Sequence, residues 1–266
     1  MDLQAEYDNG AKVPGYPAIA ERWLREAASF RDRHQHGERA IPYGPTERQA
    51  LDLFWPGPLR DGPVAVFVHG GYWQHSHRSA FSHLAQGLLA HGVAVAMPSY
   101  ELCPTVTLAA LVEQVRDALA FLHRRLGGRF MVAGHSAGGH LAAMLMATDW
   151  AARGLPGGLV AAAMPISGLF DLEPITHTTV NAALGLDAAE ARRLSPVLLP
   201  PPGGRIHAFV GGEEGLEYTR QSRQIASAWG GTWASLPGLH HFSVVEALQN
   251  PASAMVAKAL ELLPDG

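Results

Sequence analysis

Phe130-Met131-Val132-Ala133, then Gly134-His135-Ser136-Ala137-Gly138, then Gly139 to Trp150: this stretch decides how the chain folds. The first four residues are a short, wholly apolar run of the kind a buried strand needs. The segment after Gly138 spaces its apolar residues by three and four, as a helix does. Between them lies a G-x-S-x-G sequence, which carries weight only when a strand precedes it and a helix follows. In such a turn the central serine adopts a strained backbone conformation. Its flanking positions must be glycine or similarly small, because strand and helix pass within contact distance. Ser136 is therefore the candidate nucleophile, exposed above a sheet at the start of a helix.

Outward from this turn, short β-branched runs alternate with longer segments of helical period, the pattern of a parallel sheet covered by helices. The runs read as central strands are Val64 to Val68, Val93 to Met97, Phe130 to Ala133, Val160 to Ile166 and Ile206 to Val210. The covering helices are expected over Ser79 to His91, Leu108 to Leu126, Gly139 to Trp150, Glu217 to Trp229 and Val244 to Leu263. Two regions interrupt the alternation. Pro17 to His36 reads as an amphipathic helix before the first strand, and Ser167 to Pro202 is a long excursion holding one short helix, Ala188 to Leu194. Together they are expected to form a small cap, since long excursions after sheet strands usually carry function or cover a site. The fold class is α/β, a mostly parallel sheet with helices on both faces, in a single domain over residues 1–266.

Two further stretches belong with Ser136. Strand Val64 to Val68 runs into His69-Gly70-Gly71-Tyr72-Trp73, where glycines let the backbone turn its N–H groups outward. The amides of Gly71 and Tyr72, with that of Ala137, are placed to converge on a developing oxyanion. Near the end, His240-His241-Phe242 sits between a short run, Thr232 to Leu236, and the final helix, and His241 is the expected base. The acid belongs in the loop after Ile206 to Val210, where Gly211-Gly212-Glu213-Glu214-Gly215-Leu216-Glu217 offers three carboxylates. The residues alone do not choose among them.

Composition removes other classes. Of 266 residues 47% are hydrophobic and 17% charged, so a sizeable core can be buried and disorder is excluded. The net charge is −4 and the only lysines are Lys12 and Lys258, which leaves no basic stripe for nucleic acid or anionic lipid. The longest apolar stretches, such as Leu159 to Ile166, fall short of the roughly 18 residues a membrane span requires. The single cysteine, Cys103, forbids an internal disulfide, and the start MDLQAEYDNG lacks the pattern of a secretory signal, so a cytoplasmic location is expected. The pairs His34/His36 and His75/His77 lack the further ligands of a catalytic zinc site, and no phosphate-cradling glycine motif is present. Neither metal nor cofactor is expected. The expected partner is a small-molecule substrate, with a homodimer left open.

At the residues quoted, the chain resembles the α/β-hydrolases of the hormone-sensitive-lipase-like branch, and within it the kynurenine formamidase (arylformamidase) group. The discriminating sequence is His69-Gly70-Gly71-Tyr72-Trp73, since lipase-like members usually carry a third glycine there. Ser99-Tyr100-Glu101-Leu102-Cys103-Pro104, Ile166-Ser167-Gly168-Leu169-Phe170-Asp171-Leu172-Glu173-Pro174 and Ser195-Pro196 agree, so the likeness runs from about residue 41 onward. The resemblance places the nucleophile on Ser136, the base on His241 and the acid on Glu214. The family usually has Asp followed by Ser-Pro-Glu-Phe, whereas here Glu214 precedes Gly215-Leu216-Glu217-Tyr218. It implies a serine hydrolase cleaving a small acyl group from an aryl amide or ester, foremost N-formylkynurenine, with a short-chain carboxylesterase as the alternative. A non-catalytic binding member of the superfamily would lack a triad residue, and none is missing. Trp73, Tyr100 and Phe170 are expected to supply an aromatic wall for the substrate.

Overall fold

The apolar runs become neighbours in one sheet. The computed structural model describes residues 2–264. Its strands are β1 (Gly37–Pro42), β2 (Ala50–Phe54), β3 (Val64–Val68), β4 (Ala94–Pro98), β5 (Phe130–His135), β6 (Val160–Ile166), β7 (Arg205–Gly211) and β8 (Thr232–Leu236). They lie in the order β1-β2-β4-β3-β5-β6-β7-β8. β4, β3, β5, β6, β7 and β8 pair parallel, while β1 and β2 pair antiparallel at one edge. The ten helices are α1 (Leu3–Tyr7), α2 (Asn9–Lys12), α3 (Tyr16–Arg33), α4 (Gln86–Leu89), α5 (Leu108–Leu126), α6 (Ala137–Met146), α7 (Asn181–Leu184), α8 (Ala188–Arg193), α9 (Leu216–Ala228) and α10 (Ala254–Leu262) among the described residues. Helices α5, α6 and α9 pack on one face of the sheet, around Val66, Val132, Leu119, Leu141 and Ile225. On the other face α3 and α10 pack around Phe67, Met131, Met164, Trp23 and Met255.

Where strands are buried on both faces, continuous hydrophobicity marks them, and the parallel strands fall where the runs predict them. Several elements differ from the sequence reading, among them β2, which that reading left out although it is buried throughout. β1 is a half-exposed edge strand carrying charge, with no run to betray it. Ser79 to His91 is not a continuous helix but two 3₁₀ turns, Arg78–Ala80 and Ser82–Ala85, followed by the single turn α4. The Arg31 guanidinium from α3 donates to the carbonyl of Ser79 and, at 3.0 Å, to the Ser82 hydroxyl, which ties these turns to α3. Val244 to Leu263 likewise divides into a 3₁₀ stretch, Val244–Gln249, and α10. Pro251 interrupts it by removing a donor, and Ser253 caps α10 by accepting from the Val256 amide at 3.1 Å.

Several histidines are buried in this core as neutral rings. Burial pulls His69 down to about 3 and both His83 and His140 down to about 4. In the unfolded chain these groups titrate near 6.5, so below that pH unfolding takes up protons and is favoured. Their contribution to stability is whole above about 6.5 and is lost as pH falls toward about 4. The Tm should therefore already decline between about pH 6.5 and 5, before most carboxylates protonate. A calorimetric Tm that stays flat across that interval contradicts this.

Candidate active site

Ser136 ends β5 and begins α6 with φ 55° and ψ −120°, a left-handed conformation that lifts its side chain above the sheet's carboxyl edge. The tightness of the turn explains its glycines. A Cβ on Gly134 would stand 2.1 Å from the Gly138 carbonyl oxygen, and one on Gly138 would stand 2.0 Å from that of Val68. The backbone of β3 thus passes directly beneath the first turn of α6.

His241 follows β8 on the loop before the 3₁₀ stretch. Its Nε2 lies 3.1 Å from Ser136 Oγ and its Nδ1 lies 2.6 Å from Glu214 Oε2. With Nδ1–H donating to the carboxylate, Nε2 is left as the acceptor for the serine proton. Glu214 stands on the loop after β7, its side chain fully buried. Its other oxygen accepts from the Gly211 amide at 2.6 Å and from the Ser167 hydroxyl at the end of β6. The other carboxylates of that loop are engaged elsewhere or point outward. Glu217 binds Arg220 at 2.7 Å and the Tyr7 hydroxyl at 2.7 Å, while Glu213 is exposed. Ser136, His241 and Glu214, carried by the ends of three strands, meet in one hydrogen-bonded chain.

The loop after β3 faces Ser136. Gly71, Tyr72 and Trp73 have φ of 114°, 49° and 58° in succession. A Cβ on Gly71 would come within 2.5 Å of the His75 carbonyl oxygen. Among the described residues the amides of Gly71, Tyr72 and Ala137 donate to no protein acceptor, and Gly71 and Tyr72 line the same cavity as Ser136. Unspent N–H groups at this place can take charge developing on a tetrahedral oxygen. His135, beside the serine, is held neutral: burial and then the nearby His241 push it far below the usual imidazole range, while its Nε2 donates to the His241 carbonyl at 2.8 Å.

The cavity over Ser136 holds about 320 Å³, enough for one small ring compound. Tyr16 and Trp23 of α3, with Phe81 and Phe242, give it an aromatic side, and Gln4, Asp8, Asn9 and Thr179 give it a polar rim. Tyr16 stacks on Phe242 with ring centroids 4.1 Å apart, and Trp23 sits 5.6 Å from Phe81. The expectation for Trp73, Tyr100 and Phe170 is corrected here, because all three are fully buried behind the cavity and line none of it. Trp73 Nε1 donates to His140 Nδ1 at 3.2 Å, and His140 Nε2 donates to the Leu194 carbonyl at 2.8 Å. The Tyr100 hydroxyl donates to the His69 carbonyl at 2.6 Å, and the Phe170 amide donates to Gln221 Oε1 at 2.5 Å. These rings brace the loops rather than the substrate. Trp73→Ala should then cost about 3–5 kcal/mol in stability, as loss of a buried aromatic ring does. Urea unfolding checks it, and an unchanged midpoint with a raised KM would restore Trp73 to the cavity wall.

The cavity's actual aromatic side comes largely from segments that carry no motif. Trp23 lies on the helix expected over Pro17 to His36 and Tyr16 just before it, but nothing local says which cavity they meet. Residues 2–12, which cross the cavity mouth, left no signal at all. Ser167 lies in a quoted stretch without any feature marking it as a partner of the acid. Among the described residues no three His, Cys, Asp or Glu side chains are grouped so as to hold a metal ion, and no helix is long and apolar enough to cross a membrane.

Comparison with known proteins places this geometry. The BD-FAE family model matches residues 51–162. Kynurenine formamidase of Salmo salar is 31% identical over 224 residues, covering 78% of this chain and 76% of the relative. The chain belongs to the kynurenine formamidase family. The Drosophila melanogaster kynurenine formamidase is 28% identical, covering 75% of this chain and 73% of its own length. A crystal structure from Silicibacter sp. tm1040, described as a candidate thioesterase, superposes with a TM-score of 0.89 at 36% identity, covering 97% of this chain and 98% of that one. An esterase of Pyrobaculum calidifontis has a TM-score of 0.73 at 18% identity, with 92% and 91% covered, which speaks for the α/β-hydrolase fold.

Proposed function

We propose that the chain is an arylformamidase, a serine hydrolase that converts N-formylkynurenine to kynurenine and formate. One observation carries this reading: a continuous Ser136–His241–Glu214 hydrogen-bonded chain opens beneath a cavity with an aromatic side, in a chain of the formamidase family. Ser136 Oγ attacks the formyl carbon while His241 Nε2 takes its proton, and Glu214 holds the imidazole in the productive tautomer. The carbonyl oxygen becomes an oxyanion facing the amides of Gly71, Tyr72 and Ala137. Collapse breaks the C–N bond, and the proton on His241 passes to the departing aniline nitrogen. Water, deprotonated by the same imidazole, then attacks the formyl-serine; the C–Oγ bond breaks, His241 returns the proton to Ser136 Oγ, and formate leaves. A formyl group adds no bulk at the attacked carbon, and the aryl ring fits against Tyr16 and Phe242. The buried, free Cys103 fits a cytoplasmic enzyme.

The test is kcat/KM measured side by side on N-formylkynurenine, p-nitrophenyl acetate and a short acyl thioester. Dominance of the formamide by tenfold or more is expected. Preference for the ester or thioester moves the chain to the esterase alternative. Tyr16→Ala should raise KM for N-formylkynurenine by about threefold to tenfold, as loss of an aromatic contact does, and leave that for ethyl acetate almost unchanged. Equal rises on both substrates would assign Tyr16 to packing.

A further inference from the structure

Tyr72 occupies a backbone conformation that a bulky residue holds only when its surroundings over-determine it, and its φ of 49° places an oxyanion-facing amide in that strained segment. Its side chain is tied into a hydrogen-bonded group. The Tyr72 hydroxyl donates its one proton to the Tyr7 carbonyl at 2.6 Å. It must then accept from the Tyr218 hydroxyl, 2.7 Å away. Asn9 Nδ2 donates to Tyr218 Oη at 2.7 Å and to Tyr72 Oη at 3.2 Å, which satisfies every proton of the group. Tyr7 and Asn9 belong to α1 and α2, Tyr72 to the loop after β3, and Tyr218 to α9, where its ring packs 4.6 Å from that of His241. Asn9 and Tyr218 are both buried.

We propose that residues 2–12 are a working part of the catalytic centre. Asn9 and the Tyr7 carbonyl hold the Tyr72 side chain and so set the positions of the oxyanion-facing amides, and Asn9 is a positioning residue. The segment is itself anchored for this task. The Tyr7 hydroxyl donates to Glu217 at 2.7 Å, the Glu217 amide donates to Glu6 at 3.1 Å, and the Thr179 amide donates to Gln4 at 2.8 Å. Because the amides act on the oxyanion and not on the resting carbonyl, a slackened loop lowers kcat and leaves KM nearly alone. The inference rests on the serine-hydrolase reading above and does not depend on which acyl group is cleaved.

The experiment compares Asn9→Ala, Tyr72→Phe and the double variant with wild type, on N-formylkynurenine and on p-nitrophenyl acetate. It also measures the rate at which an alkyl phosphonate labels Ser136, since the phosphonyl oxygen must enter the same amides. Each single variant should lose about 10- to 100-fold in kcat and in labelling rate, the scale of a misplaced oxyanion donor, with KM within about threefold. The double variant should lose no more than the larger single loss, because both act through one hydroxyl. Unchanged kcat, a rise in KM alone, or losses that multiply in the double variant overturn the proposal. Tyr72→Phe removes a single oxygen and carries the test if Asn9→Ala does not fold. A wild type that turns over ester but not formamide removes the formamidase reading and leaves this one standing; a wild type that takes no phosphonate at Ser136 overturns both.

Discussion

Ser136→Ala should lower kcat by about 10⁵ to 10⁶ while the protein melts within a few degrees of wild type. The size follows from the covalent route. Without Oγ there is no acyl-enzyme, and the remaining machinery can only orient water against the carbonyl, which in serine hydrolases leaves about 10³ to 10⁴ over the uncatalysed rate. The small effect on stability follows from what Oγ touches: its hydrogen bond is to His241 Nε2 at 3.1 Å, and alanine fills the same backbone conformation. Intact-mass detection of phosphonate should show one adduct on wild type and none on the variant. A variant that keeps more than a hundredth of wild-type kcat sinks the assignment of Ser136.

Glu214→Gln should lower kcat by about 10³ to 10⁴ with the circular dichroism spectrum unchanged. The carboxylate both selects the imidazole tautomer, through its 2.6 Å bond to Nδ1, and supplies the counter-charge to the imidazolium that forms when Ser136 attacks. A glutamine offers neither the charge nor a dependable acceptor, because its amide can turn its NH₂ toward Nδ1. Part of the loss should come from the second oxygen, which is held by the Gly211 amide and the Ser167 hydroxyl and fixes the carboxylate plane. Glu213→Gln, at an exposed position one residue away, is expected to stay within about tenfold. A large loss at Glu213 and a small one at Glu214 would show that another carboxylate reaches the imidazole in solution. The turn after β7 is tight: a Cβ on Gly211 would meet the Leu239 carbonyl oxygen at 2.3 Å, so the strand end lies close beneath the loop carrying His241.

The nucleophile, the base and the loop after β3 were legible because each depends on local backbone demands that leave residue-level marks. Glycine is required where Gly134 and Gly138 touch passing backbone, and continuous apolar runs are required where β3, β5 and β6 are covered on both faces. The acid was narrowed to a loop of three carboxylates, and resemblance selected among them. The aromatic wall went wrong for a physical reason. Trp73, Tyr100 and Phe170 lie next to motif residues in sequence, yet adjacent side chains diverge, and these turn into the core, where Trp73 finds His140 and Tyr100 finds the His69 carbonyl. The rings of that aromatic side sit on α3, at Phe81 and beside His241, more than 50 residues from the elbow on either side.

The linear sequence by itself determined the sheet's central strands and the elbow at Ser136, because periodicity and steric exclusion act over a few residues, while the family came from the resemblance of its motifs. Tertiary structure brings Glu214, the acid that resemblance had selected, to His241, and it alone decided which rings face the cavity and that residues 2–12 are tied to Tyr72 through Asn9. Those outcomes depend on distances between chain segments more than 200 residues apart, as in the 209-residue separation of Asn9 and Tyr218. Such distances are settled by how helices pack on the two faces of the sheet, a property of the whole core that no local stretch encodes.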